Sequence, residues 1–275
     1  MKIAVAGKGG VGKSTIAGML ARQFAADGYR TVAVDVDPDA SLARCIGLSE
    51  EQIQSIVPLS EMKELVKKRT GFKDFGVFGS FFKSNPKVDD IPEKFSILYE
   101  GVRFLQVGSP KEGGSGCYCP ENLLIRELMR HLLVETDDVI IMDMEAGIEH
   151  LSRGTGDAVD LLMVVVEPGQ LSMETARRIR ALAEDIGIPN LAVVGNKVRS
   201  QRAKEAIRAG LPGFNILGFL LYDESLLDAD LNGISPFDLD SQFKRELETI
   251  RGKMIKEFAH AAVGKKKQPN PKSQI

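Results

Sequence analysis

Short apolar runs alternate along this chain with stretches whose apolar positions recur every three to four residues. Lys2–Ala6, Thr31–Asp35 and Leu161–Val166, with residues 138–142, 191–195 and 216–221, are near-continuous apolar runs of strand length. Runs of that kind belong to strands buried on both faces. Between them, residues 14–27, 120–134, 171–186, 201–209 and 241–262 carry the period of amphipathic helices. The alternation predicts an α/β fold, a single doubly wound and mostly parallel sheet, with ligands at the carboxyl ends of its strands. No repeat or linker divides the chain, so residues 1–263 read as one domain.

Two segments break the rhythm. Residues 49–115 are long for one crossover; they predict a helix over 49–68, a Phe/Gly-rich stretch, and a hairpin of 95–99 with 102–107. Phe72, Phe75, Phe78, Phe81 and Phe82 stand at near-helical spacing, which fits core packing or a partner surface. Residues 264–275, with Lys265-Lys266-Lys267 and two prolines, read as a disordered tail. No strongly amphipathic helix adjoins it, as a membrane anchor would require.

Chemistry enters at Gly7-Lys8-Gly9-Gly10-Val11-Gly12-Lys13-Ser14-Thr15, which fits G-x-x-x-x-G-K-[ST] between an expected strand and an expected helix. Glycines let successive N–H groups of Gly9, Gly10, Val11 and Gly12 turn inward around phosphates, and the helix start adds its partial positive charge. Lys13 would bridge the phosphates of ATP or ADP, the Ser14 hydroxyl would ligate Mg²⁺, and Thr15 is placed for a further phosphate contact. Residues 139–143 form a hydrophobic strand ending in Asp143, which would hold Mg²⁺ through water. Asp35, Asp37 and Asp39 follow the second strand, near the expected γ-phosphate, where a carboxylate can orient the attacking water.

Lys8 has no necessary task within one subunit. With it, the loop resembles that of the deviant Walker A ATPases, a P-loop NTPase class whose pattern is KGGxGK[ST]. The class includes nitrogenase iron protein, septum-placement and plasmid-partition ATPases, and metallocentre-maturation ATPases. The resemblance implies a homodimer closed around nucleotide, with Lys8 reaching the phosphates held by the second chain. It also implies that Asp37, immediately before Pro38, activates the water. Residues 144–150 resemble the family's second switch, in which Gly147 would offer its N–H to the γ-phosphate, with Glu145 and His150 transmitting the motion. Taken by itself, His150 reads as a solvated loop residue rather than a metal ligand.

Asn196-Lys197-Val198-Arg199 resembles the base-recognition motif NKxD, with Arg in place of Asp. A carboxylate accepts guanine's N1–H and N2–H, whereas a guanidinium offers only donors, so the exchange favours adenine. Tyr222 and Asp223 match a second base-contact segment of the family, without the proline that usually precedes it.

Cys117-Tyr118-Cys119-Pro120 follows a glycine run. Residues i and i+2 of an extended segment face one side, and a proline in the first helical turn places the thiols at a helix N-terminus, which favours thiolates. Two sulfurs are half of a tetrahedral set, and the same pair from a second chain completes it around Ni²⁺ or Zn²⁺. A redox pair and inert cysteines remain open, and Cys45 reads as a buried small hydrophobe. Together these motifs resemble the CooC-type maturation ATPases of the nickel site of carbon monoxide dehydrogenase. That resemblance implies an ATP-hydrolysing metallochaperone whose client is that enzyme or the related acetyl-CoA synthase. Alternatives within the class are an iron–sulfur electron-transfer ATPase and a positioning ATPase. The former uses a cysteine in the second switch, and 144–150 contain none.

Composition acts mainly by exclusion. With 36 Lys+Arg against 38 Asp+Glu, the formal charge of -2 offers no electrostatic case for nucleic acid or an anionic membrane. Three cysteines do not make a disulfide framework. No apolar run reaches the roughly 18 residues of a bilayer span, and the chain opens directly into a strand, so a cytoplasmic location is expected.

Overall fold

The sheet is built in the register its apolar runs require. In the computed structural model, which describes residues 1–37, 41–71, 85–108, 120–144, 148, 151 and 155–258, eight strands form one sheet. They are β1 (Lys2–Ala6), β2 (Thr31–Asp35), β3 (Ile97–Tyr99), β4 (Val102–Gln106), β5 (Val139–Asp143), β6 (Leu161–Val166), β7 (Leu191–Val198) and β8 (Asn215–Leu221). Their order is β3-β4-β2-β5-β1-β6-β7-β8, parallel throughout except for the β3–β4 hairpin.

The helices are α1 (Lys13–Ala26), α2 (Leu42–Ile46), α3 (Glu50–Ser55), α4 (Lys63–Thr70), α5 (Ile91–Phe95), α6 (Pro120–Arg130), α7 (Gln170–Ile186), α8 (Gln201–Gly210), α9 (Ser225–Leu231) and α10 (Gln242–Phe258). Alternate residues of the central strands feed two cores. Ile3, Val5, Ile141, Met163 and Val165 pack with α1, α2 and α10. Ala4, Ala6, Ile140, Met142 and Val164 pack with α4, α5, α6, α7 and α8. Every residue of β1, β2, β5 and β6 is buried, which is why these strands read as unbroken apolar runs.

One expected helix is not continuous. Residues 49–68 divide into α3, a 3-10 turn at Leu59–Glu61, and α4. The break is Pro58, which lacks an N–H and drives the preceding chain out of helical geometry; Ile56 already has ψ 126°. Ser49 starts α3 with a reciprocal capping box, its hydroxyl accepting from Gln52 N–H and the Gln52 side chain accepting from Ser49 N–H. Two further departures lie near the strand ends. β7 continues to Val198, with a register shift against β8 between Gly195 and Val198. The amphipathic run after Pro120 closes in a π-helical turn, His131–Glu135. The Phe-rich stretch, the tail 264–275, Cys117 and Cys119, and the second-switch residues Glu145, Gly147 and His150 lie outside the described residues.

Arg22 ties α1 to the elements that flank the ligand end of the sheet. Its side chain is buried; Nη1 donates to the Ile46 carbonyl at 2.7 Å, and Nη2 lies 3.4 Å from Asp238. The guanidinium also faces the rings of Tyr99 at 5.2 Å and Phe237 at 4.5 Å. Arg22→Met should cost about 2–3 kcal/mol, from the orphaned carbonyl and two lost cation–π contacts. A lower urea midpoint at unchanged m-value would register that loss, and an unchanged midpoint would contradict it.

Candidate nucleotide site

β1 delivers the glycine loop into a narrow space between β6 and β7. Gly7 has φ 149°, and a Cβ there would lie 2.4 Å from the Val165 carbonyl oxygen on β6. Gly12, at φ 96°, caps α1, and its Cβ position is already taken by the Asn196 amide at 2.5 Å. On the β7 side, Asn196 Nδ2 donates to the Val11 carbonyl at 2.8 Å, and Lys197 Nζ donates to the Gly10 carbonyl at 2.6 Å. Lys197 does this from φ 55°, a left-handed conformation uncommon for a residue other than glycine, at the register shift in β7. The carbonyls of the loop are therefore drawn outward. The first turn of α1 has no side-chain cap and no acidic residue, leaving its N–H groups open to an anion.

A cleft of about 490 Å³ opens over this loop, lined by Gly9, Gly10, Gly12, Lys13, Ser14 and Thr15. Asp37, Asn196, Lys197, Tyr222 and Asp223 line it too. Most of the expected nucleotide residues are thus brought to one cavity. Val11 is the exception, its side chain fully buried in the core against α1, so only its backbone belongs to the loop surface. Thr15 lines the cleft, with its hydroxyl beside the Cys45 thiol. Cys45 is half-buried and also lines the cleft, and burial pushes its thiol up to about 12, so it is an inert neutral group.

The two loop lysines point to different places. Lys13 is buried, with Nζ 3.9 Å from Asp37 Oδ2, so the expected phosphate cation and the expected water-activating carboxylate already face each other. Lys8 is 40% exposed and lies 3.9 Å from Glu167, just beyond β6, and it does not line the cleft.

Strand-end aspartates that look alike in sequence are separated by their surroundings. Asp35, fully buried, accepts from the N–H of Asp37 at 3.1 Å and from the N–H of Leu42 at 3.1 Å, fastening both ends of the loop between them. Burial and the neighbouring Asp143 push its carboxyl up to about 8, which suits a structural group rather than a base. Asp39 lies outside the described residues. Asp143 sits opposite Asp35 in the β2–β5 register and is fully buried. Neither of its carboxylate oxygens has a hydrogen-bond partner among the described residues. Burial raises it to about 6, while the nearby Ser14 hydroxyl and Lys13 pull it down. An orphaned buried carboxylate beside a hydroxyl and a phosphate loop is a donor set that a hard divalent cation would satisfy.

At the other end of the cleft, Asp223 Oδ1 accepts from Ser225 N–H at 3.0 Å and from its hydroxyl at 2.6 Å. Its carboxylate thereby steadies the start of α9. The Arg199 guanidinium stacks on Tyr222, 3.6 Å from the ring centroid. The apolar wall there, from Leu226, Leu227, Ile234, Pro236 and Phe243, is absent from any motif. Its one sequence signal is a pair of apolar residues in a polar stretch, and Leu227 and Ile234 are indeed 55% and 46% exposed.

Known proteins agree with this geometry. The model of the CobQ/CobB/MinD/ParA nucleotide binding domain matches residues 2–244. The carbon monoxide dehydrogenase accessory protein CooC of Rhodospirillum rubrum is 43% identical, over 93% of this chain and 96% of that protein. An uncharacterized ATP-binding protein of Methanocaldococcus jannaschii is 45% identical, over 93% of this chain and 98% of its own. In three dimensions the fold matches the MinD cell division protein of Aquifex aeolicus, with a TM-score of 0.66 at 19% identity over 93% and 97% of the two chains. It likewise matches the septum site-determining protein MinD from Pyrococcus horikoshii, solved with Mg-ADP, with a TM-score of 0.65 at 17% identity over 96% and 98%. With its phosphate loop, buried lysine and strand-end aspartates in one cleft, the chain belongs to the CobQ/CobB/MinD/ParA nucleotide-binding family and is an ATPase.

Proposed function

We propose that this ATPase is a metallochaperone that assists nickel insertion into carbon monoxide dehydrogenase or the related acetyl-CoA synthase, cycling between nucleotide-opened and nucleotide-closed homodimers. The observation that carries its catalytic half is the convergence of Lys13, Asp37, Ser14 and Asp143 beneath the loop. Its purpose rests on near full-length similarity to CooC, an accessory protein of carbon monoxide dehydrogenase.

Hydrolysis of ATP to ADP and phosphate needs little covalent help from a protein. The loop N–H groups and Lys13 hold the phosphate oxygens. Asp37 orients a water and takes its proton as the new O–P bond forms and the bond to the β–γ bridging oxygen breaks. Ser14, and Asp143 through water, would hold Mg²⁺, which would supply neutralisation of the phosphate charge. The Gly147 N–H reports the presence of the γ-phosphate, while Asn196 and Lys197 hold the loop and flank the base. Lys8 closes on the nucleotide of the second chain. In the same dimer, Cys117 and Cys119 of both chains would hold Ni²⁺ or Zn²⁺, and the change in the dimer on hydrolysis would release that metal or remodel the client. Among the described helices none is long and apolar enough to cross a membrane.

Asp37→Asn should lower kcat by at least about 100-fold while ATP still binds, because only proton acceptance is lost. Phosphate release and calorimetric titration separate the two, and a wild-type kcat in the variant would remove Asp37 from the mechanism. Lys8→Ala should bind ATP as a monomer, whereas Cys117→Ser/Cys119→Ser should lose bound nickel or zinc and metal-induced dimerisation. Metal analysis with light scattering tests both, and stoichiometric metal in the cysteine variant would exclude the bridging site.

Asp35 and Asp143 titrate above the usual carboxylate range, so the nucleotide-free folded state keeps protons that the unfolded chain releases. Their contribution is therefore complete at low pH, below about 4. It is lost as pH rises through about 6 and about 8. The urea midpoint of the nucleotide-free protein should fall as pH rises from about 4 to about 8, the interval between the unfolded and folded values. Mg·ADP should flatten the Asp143 part of that fall, and identical profiles with and without Mg·ADP would contradict cation binding there.

A further inference from the structure

The apolar wall of the cleft does not end at the cleft. Leu227 and Leu231 stand four residues apart on α9, so they share one helical face, and they are 55% and 75% exposed. The chain then turns at Gly233, with φ 65°, and Ile234 N–H donates to the Ala229 carbonyl at 2.8 Å. That bond returns the half-exposed Ile234 to the same helix. On the inner side α9 is pinned by the buried Ala229, and the next turn by the Ser235 hydroxyl, which donates to the Cys45 carbonyl at 2.9 Å. The patch is therefore held outward and has no freedom to fold under. Leu227 and Ile234 also line the nucleotide cleft, but Leu231 does not, so a base in the cleft leaves it uncovered.

The charge around the patch says what covers it. No Lys, Arg or His occurs between Ala209 and Phe243, a stretch that holds Asp223, Glu224, Asp228, Asp230, Asp238 and Asp240. Asp238 meets Arg22, Asp240 meets Arg245, and Asp223 is engaged by Ser225. Glu224, Asp228 and Asp230, the carboxylates beside the leucines, are exposed and carry no ion pair among the described residues. Like charge repels nucleic acid and anionic lipid from this face. An apolar strip flanked by unpaired carboxylates is complementary to a cationic amphipathic helix, with leucine-sized residues at i, i+3 or i+4 and Lys or Arg beside them. We propose that Leu227, Leu231 and Ile234, rimmed by Glu224, Asp228 and Asp230, form the docking surface for such a helix on the client protein. The identity of the client rests on the metallochaperone reading; the chemistry of the surface does not.

The surface is measured directly by fluorescence anisotropy of the full-length protein with a labelled helical leucine/lysine peptide. Its leucine/glutamate twin and a scrambled leucine/lysine peptide serve as controls. Wild type should bind the amphipathic cationic peptide about tenfold or more tightly than either control. Leu231→Ser should weaken that binding by about tenfold, through loss of the apolar anchor. Glu224→Gln/Asp228→Asn should weaken it and flatten its salt dependence. Leu231, Glu224 and Asp228 do not line the cleft, so ATP hydrolysis and thermal midpoints should match wild type in both variants. Equal affinity of wild type and Leu231→Ser for the peptide would overturn the proposal. So would self-association of the metal- and nucleotide-free wild type that Leu231→Ser abolishes, which would give the patch to a second copy. Nickel-dependent activation of apo carbon monoxide dehydrogenase by wild type should be lost in Leu231→Ser, and full activation by that variant would overturn docking at this surface. No activation by wild type, with peptide binding intact, would instead remove the metallochaperone reading and leave the surface standing.

Discussion

A backbone loop can bind phosphate only if its carbonyls are held somewhere else, and in this chain the holding is done by the strands on the far side of the loop. Asn196 and Lys197 take the carbonyls of Val11 and Gly10, and the Val165 carbonyl comes so close to Gly7 that no side chain fits. These contacts explain why β7 runs on past its apolar segment through a register shift, and why Lys197 accepts a left-handed backbone. The shift turns two polar side chains of a buried strand towards β1. Local backbone strain is thereby set against the orientation of the anion-binding N–H groups. The cleft, the helix start and the buried lysine depend on that arrangement.

The same strand ends carry a second constraint, the burial of like charges. Asp35 and Asp143 are register partners on adjacent strands, and both are removed from water. One resolves the conflict by holding a proton and accepting two loop N–H groups. The other has two oxygens without a geometric hydrogen bond among the described residues, beside Ser14 and Lys13. A buried carboxylate so poorly satisfied among the described residues is costly for folding alone, and a bound divalent cation would satisfy it.

What the sequence could disclose follows from the range of each interaction. β1, β2 and β6 were legible to the residue, because burial on both faces writes itself as an unbroken apolar run. The loop was legible because its glycines, lysine and serine are consecutive. Helix 49–68 is misread by periodicity alone, although Pro58 marks the break in plain view. The choice among Asp35, Asp37 and Asp39 could not be made from composition. Asp35 is set apart by hydrogen bonds from the N–H groups two and seven positions on, and Asp37 stands 3.9 Å from Lys13, 24 positions earlier in the chain. The apolar wall of Leu226, Leu227 and Ile234 was illegible for a different reason, since an exposed leucine is common on any surface and acquires meaning only beside a cleft.

The loop's two lysines show how one motif can be divided between two tasks. Lys13 is sequestered at 7% exposure and faces Asp37, where low dielectric strengthens its hold on an anion. Lys8 meets Glu167 across 3.9 Å with both groups partly exposed, an arrangement worth about 0–1 kcal/mol. So weak a tie does not account for a second lysine in a glycine-rich loop. It is also easily given up when a stronger anion approaches from outside. In the homodimer proposed above, that cation would be free to meet a phosphate held by the second chain, while the buried Lys13 stays with its own.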